Sequence, residues 1–382
     1  MGSNNDIDPD TVEFFRSNKK NGRVDDFTFV AVSEDEVKST MNEVKSRAVG
    51  IDDISIQMIN AVSPYALGAI TYLVNKCLET GVFPKEWKKS IVRPLPKVTA
   101  PKTKQELRPI SILPAMSKIV EKIAIRQIMT HMKNQDLLPK LQSGFRRNHS
   151  TCTALTNMFS DLYEAKNKGK CSSLVMIDYS QAFDSIDHEM LMGKMSYYGF
   201  GEGVISWIRS YLQERQQVTK FGNETSKPLS KMRGVPQRRC LGPILFSLYT
   251  SDFPLCVQSC TVHLYADDCQ LHLAYEPDMI EMAIGQINAD LHRVSTWSFQ
   301  NGLKLNTSKC SVLHIAPHNL LQALIESGVA VVLDGEDLAV CDKVKTLGVV
   351  LDRGLTFSDH VSHVTSVRSV ICAIILVAIG FW

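Results

Sequence analysis

The stretch Leu264-Tyr265-Ala266-Asp267-Asp268 constrains this chain more than any other. Thr261 to Leu264 before it and Leu271 to Tyr275 after it are apolar or β-favouring, so the segment reads as two short strands meeting at an acidic turn. Adjacent carboxylates repel and raise one another's pKa unless a cation lies between them. The pair therefore points to a divalent metal, and ligation by oxygen alone suits Mg²⁺. Taken by itself, the tetrapeptide also fits an Asp-Asp turn that only closes a hairpin.

A second stretch narrows the choice. Cys171 to Ile177 is a mostly apolar run of strand length, and it ends on Asp178. If that strand lies beside the Leu264 hairpin, Asp178, Asp267 and Asp268 converge on one edge of a sheet. Three carboxylates there can hold two Mg²⁺ ions about 3.5–4 Å apart, the arrangement of phosphoryl transfer. Alone, Asp178 also fits a helix N-cap before Gln181-Ala182-Phe183.

Asp178 through His188, Tyr265-Ala266-Asp267-Asp268, and Gly234-Val235-Pro236-Gln237 with Leu241-Gly242-Pro243-Ile244-Leu245-Phe246 resemble the palm motifs of reverse transcriptases. Arg108-Pro109-Ile110-Ser111, Gln142-Ser143-Gly144-Phe145-Arg146-Arg147-Asn148-His149-Ser150-Thr151 and Gly302-Leu303-Lys304-Leu305-Asn306 agree with it, in the expected order. The combination is most similar to the non-LTR, LINE-type, jockey-like retrotransposon enzymes, and covers residues from about 45 to about 360. The resemblance implies an α+β right-hand polymerase with fingers, a palm built on an antiparallel sheet, and a partial thumb. On this reading residues 1–30 are a partly ordered leader, 31–170 the fingers, 171–315 the palm, and 316–382 a primer-grip-like hairpin and truncated thumb.

It further implies RNA-templated addition of deoxynucleotides to a primer 3′-hydroxyl. The partners would be an RNA template, a DNA primer and deoxynucleoside triphosphates, with no membrane. Asp178, Asp267 and Asp268 would bind two Mg²⁺, with Mn²⁺ as a substitute. Phe183, five residues after Asp178, would underlie the incoming sugar and exclude a 2′-hydroxyl; a core aromatic on a helix is the plainer reading. Gln237 would line the nucleotide site. Lys309 resembles the lysine that protonates leaving pyrophosphate, and equally fits a solvated lysine. The family also suggests an intracellular, nuclear setting.

Periodicity and charge organise the remainder of the chain. Ser33 with Glu36 forms a capping-box signature, and Val37, Met41 and Val44 give the helix that follows an inward face. A stripe from Leu67 through Ile70, Val74, Cys77 and Leu78 stops at Gly81, and another runs from Pro114 to Met129. Between them, Ile91 to Lys97 and Arg108 to Leu113 read as paired strands joined by a basic loop, and Lys85, Lys88, Lys89 and Arg93 add to its charge. Such a finger suits a triphosphate, although a solvated basic loop has the same composition. By resemblance, Lys97 and Arg108 would make those contacts. Arg146 and Arg147 suit template phosphates, where contacts are independent of sequence. Thr151 to Lys166 and Val204 to Leu212 read as helices, Gln216 to Met232 as a hairpin turning at Gly222-Asn223, and Ile280 to Val294 as a helix behind the sheet. Val329 to Val340 reads as a hairpin, followed by Val344 to Val350.

Composition matters chiefly for what it excludes. Net charge is only +2 over 382 residues, so any nucleic-acid surface must be local. Ten cysteines show no repeated Cys-x-x-Cys spacing, and no secretory signal precedes them, which points to a reducing compartment. Cys256, Cys260, His263 and Cys269 can be drawn as a metal site, but His263 and its neighbours are needed as strand positions. Val370 to Trp382 is apolar yet too short for a membrane span and reads as a clipped thumb helix; endonuclease, RNase H and Cys-rich modules are not expected.

The main departure follows Gln237, where Arg238-Arg239 stand in place of the family's Gly and small residue. Two bulky cations there would obstruct the nascent base pair or contact phosphate. The competing expectation is thus an inactive or co-opted retrotransposon fragment that binds RNA without polymerising. A group II intron maturase fits less well, because that family has Thr where this chain has Val235.

Overall fold

A computed structural model describes residues 7–18, 26–96, 98–103, 106–146, 148–222, 224–231, 233–236, 241–317, 320, 322 and 329–366. The chain divides into two compact units. One comprises residues 1–139, 181–252 and 298–304, the other residues 140–180, 253–297 and 305–382. The chain thus interleaves its two units, where the sequence suggested consecutive segments.

In the first unit, Ser33 and Glu36 close a reciprocal capping box ahead of the helix Glu34–Glu43, whose Val37, Thr40 and Met41 are buried. The helix Ile56–Thr80 starts earlier than its apolar stripe suggested. It carries Pro64 within it, and stops where Gly81 takes φ +68°, a left-handed turn that glycine adopts at no steric cost. Phe83 then packs edge-on against Trp207 and Tyr211, which stack on one another at 5.8 Å from the helix Glu202–Leu212. Trp207 and Tyr211 are fully buried, so Trp207→Ala would cost about 3–5 kcal/mol. Within the stretch expected to be a partly ordered leader, Pro9–Ser17 is a helix packed on His188–Tyr197, with Phe15 buried. Asp8 caps it and Pro9 occupies the first turn, where its missing N–H costs nothing.

The sheet of this unit places Lys89–Pro96 between Leu107–Ile112, antiparallel, and Arg215–Phe221, parallel. Arg215–Phe221 turns back through Gly222 onto Glu224–Thr225 and also pairs with Leu229–Lys231. Lys88, counted from sequence among the presented cations, is instead buried, with its Nζ donating to Ser210 Oγ at 3.5 Å. Burial holds its amine below the usual lysine range.

The second unit is built on a five-stranded sheet in the order Ala339–Val340, Ser311–Ile315, Cys171–Ile177, Asp268–Tyr275, Thr261–Tyr265. It is antiparallel except at its edge, where Ala339–Val340 runs parallel to Ser311–Ile315. The hairpin expected over residues 329–340 is correspondingly shorter, pairing only Val332–Leu333 with Glu336–Asp337. Cys171–Ile177 is the central strand and is buried along both faces apart from Met176, which explains why its sequence is a run and not an alternation. The helix Thr151–Asn167 covers one face, packing Met158 and Leu162 on Leu174, Leu313 and Ile315. The helix Ile280–Gln300 covers the other, where Ala283 meets Cys171 and Tyr275. Each such aliphatic side chain contributes about 1.5–3 kcal/mol on burial. Lys343–Thr346 and Val349–Asp352 form a further hairpin, turning at Leu347 and Gly348, both at positive φ. Among the described residues no helix is long and apolar enough to cross a membrane.

Candidate active site

The register of the second unit's sheet brings the acidic residues together. Ile177 pairs with Cys269, so Asp178 follows directly alongside Asp268, while Tyr265 pairs with Asp268 to close a two-residue turn of Ala266 and Asp267. Three carboxylates therefore stand at one end of two adjacent strand pairs. Asp178 is not a helix cap, because the next helix begins at Ala182 with Gln181 at its N-cap.

The electrostatics show how close the three are. Asp267 and Asp268 lie at the surface of the turn, yet partial desolvation by the packed strands raises both above the usual carboxylate range. Repulsion from Asp178 adds to both shifts, and Asp267 adds to that of Asp268, which reaches about 6. Asp178 Oδ2 is buried and has no hydrogen-bond partner. Lys309 Nζ stands 3.5 Å from that oxygen, an ion-pair contact and not a hydrogen bond. Lys309 is brought there by the turn that carries it: Asn306 N–H donates to Asp178 C=O at 2.9 Å, and Cys310 Sγ accepts from Asp178 N–H at 3.3 Å. An orphaned buried carboxylate oxygen beside two carboxyls pushed above the usual range by desolvation and by neighbouring carboxylates fits a hard divalent cation. These residues would hold it.

Sequence reading missed what shapes the turn. Ala266 sits at φ +59°, a conformation that costs a residue with a Cβ roughly 1–2 kcal/mol. The strap at Leu141–Gly144 holds it there. Leu264 N–H donates to Leu141 C=O at 3.1 Å, Ser143 N–H donates to Leu264 C=O at 2.9 Å, and Gln142 Oε1 accepts from Gly144 N–H at 2.8 Å and from Ala266 N–H at 3.3 Å. A Cβ on Gly144 would lie 2.3 Å from Ala266 N, so only glycine fits. The Gln142 segment, assigned from sequence to template contacts, is thus first a buttress for the aspartate turn. The signal was the Gln-Ser-Gly run, but its partner lies more than 120 residues away.

Other expected site residues fall elsewhere. Arg146 follows the strap in the same unit, half-buried. Phe183 belongs to the first unit, in a short helix after Gln181 at φ +53°, and stacks on Phe246 with ring centroids 4.5 Å apart. Its carbonyl accepts from Val235 N–H at 2.8 Å, and Gly234, at φ +79°, packs so tightly on Asp184 that a Cβ would lie 2.6 Å from the Asp184 Cα. The glycine of the Gly-Val-Pro-Gln motif is therefore required by the Phe183 turn. Arg108 lies in Leu107–Ile112 with its backbone opposite Leu95. Lys97, Arg147, Gln237, Arg238 and Arg239, the Arg108 side chain, and the thumb helix expected over 370–382 lie outside the described residues. The cysteine set drawn around His263 is not what that histidine joins: its Nε2 faces Asp161 Oδ2 at 3.0 Å.

The sequence profile of the reverse transcriptase (RNA-dependent DNA polymerase) family matches residues 97–351, two thirds of the chain. The chain belongs to the reverse transcriptase family. It is 29% identical over 348 residues to the probable RNA-directed DNA polymerase from transposon BS of Drosophila melanogaster, covering 86% of this chain and 37% of that protein. It is 28% identical over 345 residues to the RNA-directed DNA polymerase from mobile element jockey of the same organism, covering 87% and 36%. The probable polymerase of transposon X-element is 29% identical over 337 residues, covering 85% and 35%. The resemblance read from sequence is thereby borne out, to the level of non-LTR elements. The chain spans a little over a third of the length of these curated relatives.

Proposed function

We propose that the chain is an RNA-directed DNA polymerase core, adding deoxynucleotides to a primer 3′-hydroxyl on an RNA template. The observation that carries this reading is the convergence of Asp178, Asp267 and Asp268 at one strand end, with an unsatisfied buried oxygen on Asp178 and raised carboxyls on Asp267 and Asp268. Reverse transcriptases generally use divalent metals, and the all-oxygen donor set here favours two Mg²⁺, with Mn²⁺ as a substitute. When bound, such ions supply activation of the attacking hydroxyl and neutralisation of charge on the leaving phosphate. Asp178, Asp267 and Asp268 would hold the ions; Lys309, already 3.5 Å from Asp178, would serve the leaving pyrophosphate. Lys97 and Arg108 would hold triphosphate, Gln237 would line the nucleotide site, Phe183 would exclude a 2′-hydroxyl, and Arg146 and Arg147 would meet template phosphates. The architecture proposed for these roles is a right hand of fingers, palm and thumb, working inside the cell and in the nucleus.

Arg238-Arg239 favours one second reading, a co-opted or inactive fragment that binds RNA without polymerising. Primer extension on an RNA template by the purified chain, beside Arg238→Gly and Asp267→Asn, separates the two. Extension by the parent that Asp267→Asn abolishes is the expected result. Extension only after Arg238→Gly would mean a metal site behind an obstructed pocket. Salt-dependent RNA binding with silence from all three in Mg²⁺ and Mn²⁺ would favour the second reading, and full activity in Asp267→Asn would overturn the carboxylate assignment.

A further inference from the structure

A second group of metal-ligating side chains lies in the same unit, on the sheet face covered by Thr151–Asn167. Residues opposite one another across a ladder share a face, so the pairing of His263 with Gln270 puts His263, Gln270 and His272 on one side of the hairpin. Asp161 of the covering helix reaches down to them, its Oδ2 3.0 Å from His263 Nε2. One ligand atom from each of Asp161, His263 and His272 lies within 4.8 Å of the other two. Both imidazoles are buried, and the Asp161 side chain is 36% exposed.

We propose that Asp161, His263 and His272 bind a divalent transition-metal ion of the Zn²⁺ class, at a site separate from Asp178, Asp267 and Asp268. The donor chemistry differs from that of the acidic turn. Two imidazoles and one carboxylate form a borderline set that suits Zn²⁺, Co²⁺ or Ni²⁺, whereas three carboxylates suit Mg²⁺. Bonds of about 2.0 Å place donors roughly 3.3 Å apart; His263 Nε2 and Asp161 Oδ2 already stand 3.0 Å apart, and the His272 donor, within 4.8 Å of the other two, would move in by up to about 1.5 Å. Desolvation keeps both imidazoles below the usual histidine range, His272 at about 4, so neither must shed a proton to ligate near neutral pH. Ser172 Oγ, 3.1 Å from His272 Nε2, adds a neutral oxygen beside the cluster. His314 in the same sheet makes the contrast. Its Nδ1 meets Ser173 Oγ at 2.7 Å, and that hydroxyl also meets Tyr275 OH at 2.9 Å, a hydroxyl network with no carboxylate among the described partners.

Position gives the site a role. His263 lies four residues before Asp267 and His272 four residues after Asp268, one on each leg of the acidic hairpin. An ion shared with Asp161 would tie both legs to the helix above them and fix the turn from below.

The test uses the full chain, dialysed against Zn²⁺ and then against buffer, with retained metal read by mass spectrometry, Zn²⁺ affinity by calorimetry, and the visible absorption of a Co²⁺-loaded sample. Parent chain, Asp161→Asn, His263→Gln and Asp267→Asn are compared, with circular dichroism as the check on folding. One retained equivalent, a Tm that rises with Zn²⁺, and at least tenfold weaker binding in Asp161→Asn and His263→Gln but not in Asp267→Asn are expected. Because Asp161 stands on a half-exposed helix position, its variant decides the matter if His263→Gln does not fold. Absence of stoichiometric metal, equal retention in Asp161→Asn, or loss in Asp267→Asn would overturn the proposal, leaving a buried hydrogen-bonded cluster or an ion held by the acidic turn.

Discussion

Asp290 and the Asp267–Asp268 pair belong to one unit and are treated in opposite ways. The Asp290 carboxylate is fully buried and finished: it accepts from Gln258 N–H at 2.8 Å, Ser259 N–H at 2.9 Å and Cys260 N–H at 2.8 Å, and Arg293 pairs with it. Burial alone would raise it, but those N–H groups and the guanidinium together hold it below the usual carboxylate range. The acidic turn is unfinished. Its Asp267 and Asp268 are pushed up, and a neighbouring buried oxygen of Asp178 has no hydrogen-bond partner. A carboxylate that the protein satisfies by itself holds a loop in place; carboxylates that it leaves in conflict are fitted to something brought from outside.

The comparison is broken most decisively at its functional end. Asp267→Asn should lower nucleotide incorporation by roughly a thousandfold or more, about 4 kcal/mol in the barrier, with the fold retained. A variant that melts at a much lower temperature would instead make the turn a structural element like Asp290. The converse substitution, Asp290→Ala, leaves Arg293 and three N–H groups without their acceptor. It should cost about 3–5 kcal/mol and several degrees of Tm, and any loss of activity should follow the loss of fold.

pH separates the two environments by sign. A depressed carboxyl gives stability that is present above its unfolded value and lost as pH falls through its folded one, so Asp290 contributes to unfolding of the chain in acid, below the ordinary carboxylate range. A raised carboxyl does the reverse. Asp268 costs stability once pH rises through about 6, so metal-free Asp268→Asn should match the parent near pH 4 and exceed it slightly in Tm near pH 8. Solvent screening keeps that gain small, and added Mg²⁺ should remove it by stabilising only the parent. Melting curves at both pH values, with and without Mg²⁺, check each sign. The smallest effect concerns the backbone: Ala266→Gly should stabilise the chain by up to about 1 kcal/mol by relieving the positive φ, unless the looser unfolded chain offsets it. A measured loss above that would mean the Ala266 methyl packs against something the turn needs.

Much of the acidic site was legible along the chain. The apolar run to Asp178 and the strand signals on either side of Asp267–Asp268 follow from period and composition, and each became a strand. The strap was not legible, because Gln142 and Gly144 act on Ala266 through backbone groups, which leave no trace in residue type. Nor was the burial of Lys88, whose sequence neighbours suggest an exposed basic face until Ser210 is placed against it. For His263 the strand position argued rightly against the cysteine set drawn around it, but the carboxylate it meets could not be read, because Asp161 stands on a helix about a hundred residues earlier.

By itself the sequence determined most of the strands and helices, the family and where the acidic residues lie along the chain, because periodicity, caps and ordered motifs are local properties of the chain. Only the tertiary structure decided which residues meet. Strand register set Asp178 beside Asp268, a distant strap held the strained turn, and one helix laid Asp161 against two histidines. Such encounters depend on distances between segments far apart along the chain, which local preference does not encode.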